Sequence, residues 1–187
     1  VAHRSSPVQV GSLTTWTSIA GGRYHSIALK SDGTLWVWGI NITSGDLGLG
    51  DTVSRSSPVQ VGTLTTWTAT VGGGVTGNHS LSLKSDCTLW MWGRNTHGQL
   101  GLGDVAHRSS PVQVGSLTTW TSVSRGSEHV SHALKSDGTL WMWGLNTNGQ
   151  LGQGDVAHRS SPVQVGALTT WTSVAGGGSH SLALRRT

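Results

Sequence analysis

Apolar residues in this chain come in short bursts of two kinds. Leu35-Trp-Val-Trp38, Leu89-Trp-Met-Trp92 and Leu140-Trp-Met-Trp143 are apolar at consecutive positions, the pattern of a strand covered on both faces. Around them lie briefer runs such as Trp120-Thr-Ser-Val123, Ser26-Ile-Ala-Leu29, His132-Ala-Leu134 and Pro162-Val-Gln-Val165. None continues with a 3.6-residue period, so no helix is predicted. Lys135-Ser-Asp-Gly-Thr139 sets Asp-Gly between two apolar runs, which reads as a hairpin turn. From Trp120 onward the pattern predicts four strands, over 120–123, 132–134, 140–144 and 162–165. A glycine-punctuated loop, Asn146–Asp155, precedes the fourth, and Gly166-Ala-Leu-Thr-Thr170 leads to the next tryptophan.

The whole pattern repeats. Val105–Gly115 returns letter for letter at Val156–Gly166 and Val1–Gly11, with an altered copy at Val53–Gly62. Pro7, Pro58, Pro111 and Pro162 step by 51, 53 and 51 residues, and Trp16, Trp67, Trp120 and Trp171 keep the same steps. Four short antiparallel strands per unit, joined by links too short for crossover helices, make up a propeller blade. The expected fold is therefore all-β: a β-propeller of four-stranded antiparallel blades, with about four blades. The units run 16–66, 67–119 and 120–170, with partial units at 1–15 and 171–187. Ala28, Ser82, Ala133 and Ala183 recur in the second strand, and their small size marks that strand as the one nearest the axis.

Composition narrows the picture. Only 11% of residues are charged and 28 are glycine, while ten tryptophans supply core material, so the chain is not a disordered polyelectrolyte. The net charge is +4, yet Arg4, Arg55, Arg108 and Arg159 occupy one repeated position, and only Arg185-Arg186 form a basic pair. Without a continuous basic stripe, nucleic acid is not the expected partner. No apolar run approaches the roughly 20 residues of a membrane span. Cys87 stands alone, which excludes an internal disulfide. The chain begins without methionine and shows no signal peptide, as expected of a processed chain or a piece of a longer one.

The string Gly21-Gly-Arg-Tyr-His-Ser-Ile-Ala-Leu-Lys-Ser-Asp-Gly-Thr-Leu-Trp-Val-Trp-Gly39, continued most regularly as Asn95-Thr-His-Gly-Gln-Leu-Gly-Leu-Gly-Asp104 and closed by Pro-Val-Gln-Val, resembles the repeat of the regulator of chromosome condensation family. The resemblance covers about three and two-thirds copies and is specific for fold rather than function. Members of that family include nucleotide-exchange factors for small GTPases, protein inhibitors of β-lactamases, ultraviolet photoreceptors and plain binding modules. The family usually closes seven blades, which needs roughly 360 residues. The present chain holds about half of that, starting at a Pro-Val-Gln-Val strand and stopping at Ser181–Leu184. The expectation is a partial ring, one assembled from further copies, or a small ring, with open strand edges at both ends.

Chemistry is sparse. Gly98-Gln-Leu-Gly-Leu-Gly103 has glycine-loop spacing, but a nucleotide loop must open a helix, so it reads as turns. His3, His107 and His158 share one repeat position, and His25, His79 and His180 another; such residues are expected to serve the blade by hydrogen-bonding loop backbone. A ring of His25, His79 and His180 lacks acidic or thiolate companions for a metal. Asp32, Asp86 and Asp137 are turn residues, and Asp51, Asp104 and Asp155 end the glycine loop. No catalytic pair is peculiar to one unit. The tryptophans all sit at repeated strand positions, as core aromatics do. The sequence thus points to no enzyme activity, no cofactor and no metal. Cys87 replaces the turn glycine found at Gly33 and Gly138, at an expected cost of about 1 kcal/mol.

Differences between the copies carry the functional signal. The turns Lys-Ser-Asp-Gly-Thr and Gly-Ser/Thr/Ala-Leu-Thr-Thr hardly change, whereas the link before the second strand and the loop after Trp-x-Trp-Gly do. In a four-stranded meander both variable segments fall at one end, so one propeller face varies. Loops on one face of a rigid scaffold are where binding specificity resides. Candidate contacts are Arg23, Tyr24, Ile42, Val75, Asn78, Arg94, His97, Arg125, Glu128 and His129. The expected function is a non-enzymatic protein-interaction propeller, its partner another protein or further copies meeting at the open strand edges. The alternative is a structural unit resembling those of bacterial or phage surface and appendage proteins. A third, exchange of nucleotide on a small GTPase, rests on the resemblance alone.

Overall fold

A computed structural model describes residues 6–7, 9–12, 14–72, 78–126, 129–177 and 179–187. Fourteen strands form among them, and no helix. The first blade comprises β1 (Trp16–Gly21), β2 (His25–Lys30), β3 (Leu35–Gly39) and β4 (Arg55–Gln60). The second comprises β5 (Trp67–Gly72), β6 (His79–Lys84), β7 (Leu89–Gly93) and β8 (Arg108–Gln113). The third is built from β9 (Trp120–Arg125), β10 (Val130–Lys135), β11 (Leu140–Gly144) and β12 (Arg159–Gln164), and a two-stranded sheet follows as β13 (Trp171–Gly176) and β14 (Ser181–Arg185). Each blade is an antiparallel meander in chain order. The architecture is the expected all-β propeller.

Several sequence expectations shift in detail. The last strand of a blade begins at Arg55, Arg108 or Arg159 rather than at the proline, because that arginine pairs with Gly39, Gly93 or Gly144 across an irregularity in the ladder. Pro58, Pro111 and Pro162 are tolerated because these are edge strands. The third link is shorter than the sequence suggests, since β9 reaches Arg125 and β10 begins at Val130. The strand nearest the axis is also not the one carrying Ala28. β1 packs on β5, β5 on β9 and β9 on β13, while β2, β6 and β10 lie against the neighbour's first strand. Ala133 is small because the second blade covers it, and Ala28, Ser82 and Ala133 are all fully buried.

The core accordingly lies between blades. Ile27, Leu35, Val37 and Leu47 of the first blade enclose Trp67 and Trp92 of the second. Leu81, Leu89, Met91 and Leu100 of the second enclose Trp120 and Trp143 of the third. The two tryptophans of each Trp-x-Trp strand divide the labour. The first stays at home: Trp36 Nε1 donates to Thr34 Oγ1, which donates to Asp32 Oδ1, and Lys30 Nζ sits 3.7 Å from the ring centre. In the second and third blades the second tryptophan reaches backward. Trp92 Nε1 donates to the Asp46 carbonyl at 3.1 Å, and Trp143 Nε1 to the Gln99 carbonyl at 2.9 Å.

Histidines bolt the seams. His25 Nε2 meets Ser80 Oγ at 3.2 Å and His79 Nε2 meets Ser131 Oγ at 3.1 Å. Ser131 Oγ donates to the Gln99 carbonyl, so the proton between it and His79 belongs to the imidazole. The third blade has Val130 at that position, and His132 takes over, meeting Ser181 Oγ at 2.9 Å. Two residues along a strand is the same face, so the bolt survives the shift. His107 and His158 do serve loop backbone, accepting at Nδ1 from the Asn95 and Asn146 N–H groups.

In the β2–β3 turns Gly33 and Gly138 have φ of 75°, and Cys87 holds φ 59° in the second copy. A side chain in that left-handed region is strained. Cys87→Gly should therefore raise the unfolding free energy by about 1 kcal/mol, read from urea titrations; no gain would mean that Cys87 recovers the strain through its own contacts.

Candidate functional site

The link between the first two strands and the loop between the last two meet at one end of every blade. The Ile40, Arg94 and Leu145 N–H groups donate to the carbonyls of Tyr24, Asn78 and His129, at 2.9, 2.6 and 3.0 Å. At the other end the hairpin turn meets the link to the next blade, Trp67 N–H donating to the Gly33 carbonyl and Ser85 N–H to that of Thr66. These bonds make Tyr24, Asn78 and His129 one structural position in three copies, and Ile40, Arg94 and Leu145 another.

The loops are held open by an asparagine at their base. Asn95 Nδ2 donates to the Asp104 and Ala106 carbonyls, and its Oδ1 accepts from the Leu100 N–H. Asn41 and Asn146 repeat the arrangement. Asp104 in turn accepts from Arg108, as Asp51 does from Arg55 and Asp155 from Arg159. The constant residues thus build a frame, and the side chains between them are free to differ.

Three imidazoles converge where the second and third blades meet. The His97 and His129 rings lie 5.1 Å apart, and His97 and His158 are 5.3 Å apart and edge-on. Gln99 orders the group: its Oε1 accepts from the His97 N–H at 2.8 Å and its Nε2 donates to His129 Nδ1 at 3.1 Å. His129 and His158 therefore use Nδ1 as acceptor, which leaves Nε2–H as a donor on each neutral ring. Burial lowers the His129 pKa to about 4, helped by the positive charge of Arg94 and by His97. Burial, His158 and Arg94 likewise lower that of His97.

The corresponding position in the first loop is Asp46, where the other loops have Gln99 and Gln150. Asp46 is 2% exposed, and its Oδ1 has no hydrogen-bond partner. Burial raises its pKa to about 7, against the opposing pull of Arg94. Asn78, which takes the place of His129 at this seam, also has an unpartnered Oδ1. Two acceptors thus stand at a seam where the next one has a donor–acceptor pair.

The remaining candidates scatter. Arg23 stacks on Tyr24, 4.8 Å from its ring centre, on the first link. Ile42 is 60% exposed on the first loop. Arg125 ends β9, with its side chain outside the described residues, as are Val75 and Glu128. Three members of the site are not among the sequence candidates: His158, whose repeat position suggests a frame residue, Asp46 and Gln99. The departure of Asp46 from the glutamine of the other copies is the one signal in the chain that could have found it. Among the described residues no group of three His, Cys, Asp or Glu side chains is placed to hold a metal ion.

Residues 32–82, 87–131 and 137–184 match the family model of the regulator of chromosome condensation (RCC1) repeat, and 16–45 and 120–150 match a second model of that repeat. The chain is similar to the probable E3 ubiquitin-protein ligase HERC3 of Homo sapiens, at 37% identity over 175 residues, covering 90% of this chain and 16% of the relative. It is 35% identical over 154 residues to the ultraviolet-B receptor UVR8 of Arabidopsis thaliana, covering 79% of this chain and 33% of that protein. Among solved structures, Prp20p from Saccharomyces cerevisiae superimposes with a TM-score of 0.79 at 22% identity, over 94% of this chain and 45% of that one. Human WBSCR16 gives 0.81 at 22% identity, over 98% and 48%. The chain thus spans less than half the length of each of these proteins, and the structural likeness speaks for the fold. With the repeat model matching most of its length, the chain belongs to the regulator of chromosome condensation (RCC1) repeat family.

Proposed function

We propose that this chain is a non-enzymatic protein-interaction propeller that meets its partner through the variable-loop face. The observation that carries the reading is the division of labour within each unit. Residues shared by the copies tie the frame together, whereas Arg94, His97 and His129, each different in the sister copies, gather at one seam. Prp20p, which shares the fold, itself binds Gsp1p and histones. The test is a pull-down from the source cells with the native chain and with a chain whose links and loops are made identical to those of the third copy. The identical-loop chain should lose the partner; equal capture by both overturns the reading.

A second reading, self-association between blade faces, has its own observation. Leu182 and Leu184 are 63% and 69% exposed, although Leu81 and Leu83, their counterparts in the second blade, are buried. Ile19 is 78% exposed on the first blade. Such faces are covered by a neighbouring blade elsewhere in the fold. A discrete oligomer by mass measurement, abolished by Leu182→Ser with Leu184→Ser, supports this reading; a monomer counts against it.

A further inference from the structure

The cluster at the second seam carries a positive charge with no charged counterpart. Among the described residues the ion pairs are Asp51–Arg55, Asp104–Arg108 and Asp155–Arg159, and Arg94 belongs to none. Asp46, the carboxyl whose field Arg94 shares, is buried and forms no ion pair with it among the described residues. His97 from the same loop, His129 from the next link and His158 from the next loop complete the surroundings. His129 and His158 have their Nδ1 atoms engaged by Gln99 and Asn146, so what they offer outward is Nε2–H.

This is an array of donors around one guanidinium. A metal cation is disfavoured there by the charge of Arg94 and by imidazoles already committed through Nδ1. A carboxylate suits it, because its two oxygens can accept from the guanidinium fork and from imidazole N–H groups at once. One cation balances one carboxylate, whereas a phosphate carries close to two charges at neutral pH. His158 is exposed and Arg94, His97 and His129 are half-buried, so a side chain can arrive from solvent and still be partly desolvated on arrival. The third blade supplies the contrast: Leu145 replaces Arg94 and Asn148 replaces His97 in an otherwise identical frame. Arg94 and His97 therefore belong to this seam and not to the needs of the repeat, while His158 adds the Nε2–H that its frame bond leaves over.

We propose that Arg94, His97, His129 and His158 form a receptor for an aspartate or glutamate side chain of a partner protein. The proposal rests on the variable-loop face being the interaction surface and names the chemistry of the contact.

The probe is an end-blocked pentaglutamate peptide, compared with the pentalysine peptide and with inorganic phosphate. Every sample carries Glu128→Gln, so that the only glutamate carboxylates present are those of the probe. Imidazole signals of His97, His129 and His158 are followed by NMR. Pentaglutamate should shift all three, and Arg94→Leu should weaken its binding about tenfold or more. Leucine is what the third blade holds at that position, so the fold is kept; unchanged amide spectra elsewhere verify this. Arg94→Lys should retain part of the affinity, and Arg186→Gln, outside the candidate contacts, all of it. The proposal is overturned if pentaglutamate leaves the three imidazoles unmoved at millimolar concentration, if Arg94→Leu binds it equally well, or if phosphate binds more tightly. The broader reading is separable: if Arg94→Leu still captures the cellular partner while the identical-loop chain does not, the carboxylate receptor fails and the interaction face stands.

Discussion

Trp143→Ala should destabilise the chain by about 3–5 kcal/mol, the usual range for emptying a buried aromatic site, and Trp38→Ala by clearly less. The two residues occupy the same place in the Trp-x-Trp-Gly strand. Trp143 is fully buried, with its ring against Gly101 of the preceding blade and its Nε1 on the Gln99 carbonyl. Trp38 is only half-buried. Alanine at 143 therefore opens a cavity between blades and removes a bond across them. Because each blade contacts only its neighbours, such a loss also uncouples the array. Urea titration should show a lower midpoint for Trp143→Ala together with a shallower transition, as blades begin to unfold separately. Equal effects at the two positions would mean that the indole stabilises its own blade and not the seam.

Strand number, strand order and the variable face are legible from repetition, because one unit must bury its apolar surface against the next. Trp-x-Trp announces a strand covered on both faces. It does not say which indole stays at home and which crosses, since that depends on the neighbour's glycine loop. The strand nearest the axis is misplaced by sequence reasoning for a related cause. Small residues such as Ala133 indicate close approach, and close approach between blades looks in sequence like close approach at the axis. The candidate contacts are legible one by one as departures from the repeat, but their grouping is not. Gln99 joins His97, two residues away, to His129 on another blade, and no spacing in the chain encodes that meeting. His158 is hidden because it has two roles. Its Nδ1 serves the frame, as in His107, while its ring edge meets His97 only at this seam.

Replacing Asp46 by asparagine should stabilise the chain, and the gain should grow with pH. The folded-state pKa of Asp46 is raised to about 7, against an ordinary value of 3.8. A carboxyl raised in this way favours the fold while it is protonated, and that contribution is lost as pH climbs through about 7. The variant has no proton to lose. It should thus match the native chain near pH 4 and exceed it by about 2 kcal/mol or more above pH 7, since a tenfold change in proton affinity corresponds to about 1.4 kcal/mol and partial solvent screening reduces the sum. His132 acts in the opposite sense. Burial lowers its pKa from 6.5 to about 4, so its contribution is present above pH 6.5 and disappears as pH falls toward 4. His129 and His97, also lowered, act in the same sense as His132, so in the native chain the histidine slopes oppose that of Asp46 between these limits and flatten the profile. In Asp46→Asn only the histidine slopes remain, and stability should rise with pH across the same interval. Asparagine also brings an N–H donor to a seam where Asp46 Oδ1 and Asn78 Oδ1 are both unpartnered acceptors. Urea midpoints at pH 4.5 and pH 8 separate these contributions: a gain of equal size at both values comes from the new donor alone and shows that Asp46 is ionised throughout, whereas a gain confined to the higher pH establishes the buried neutral acid.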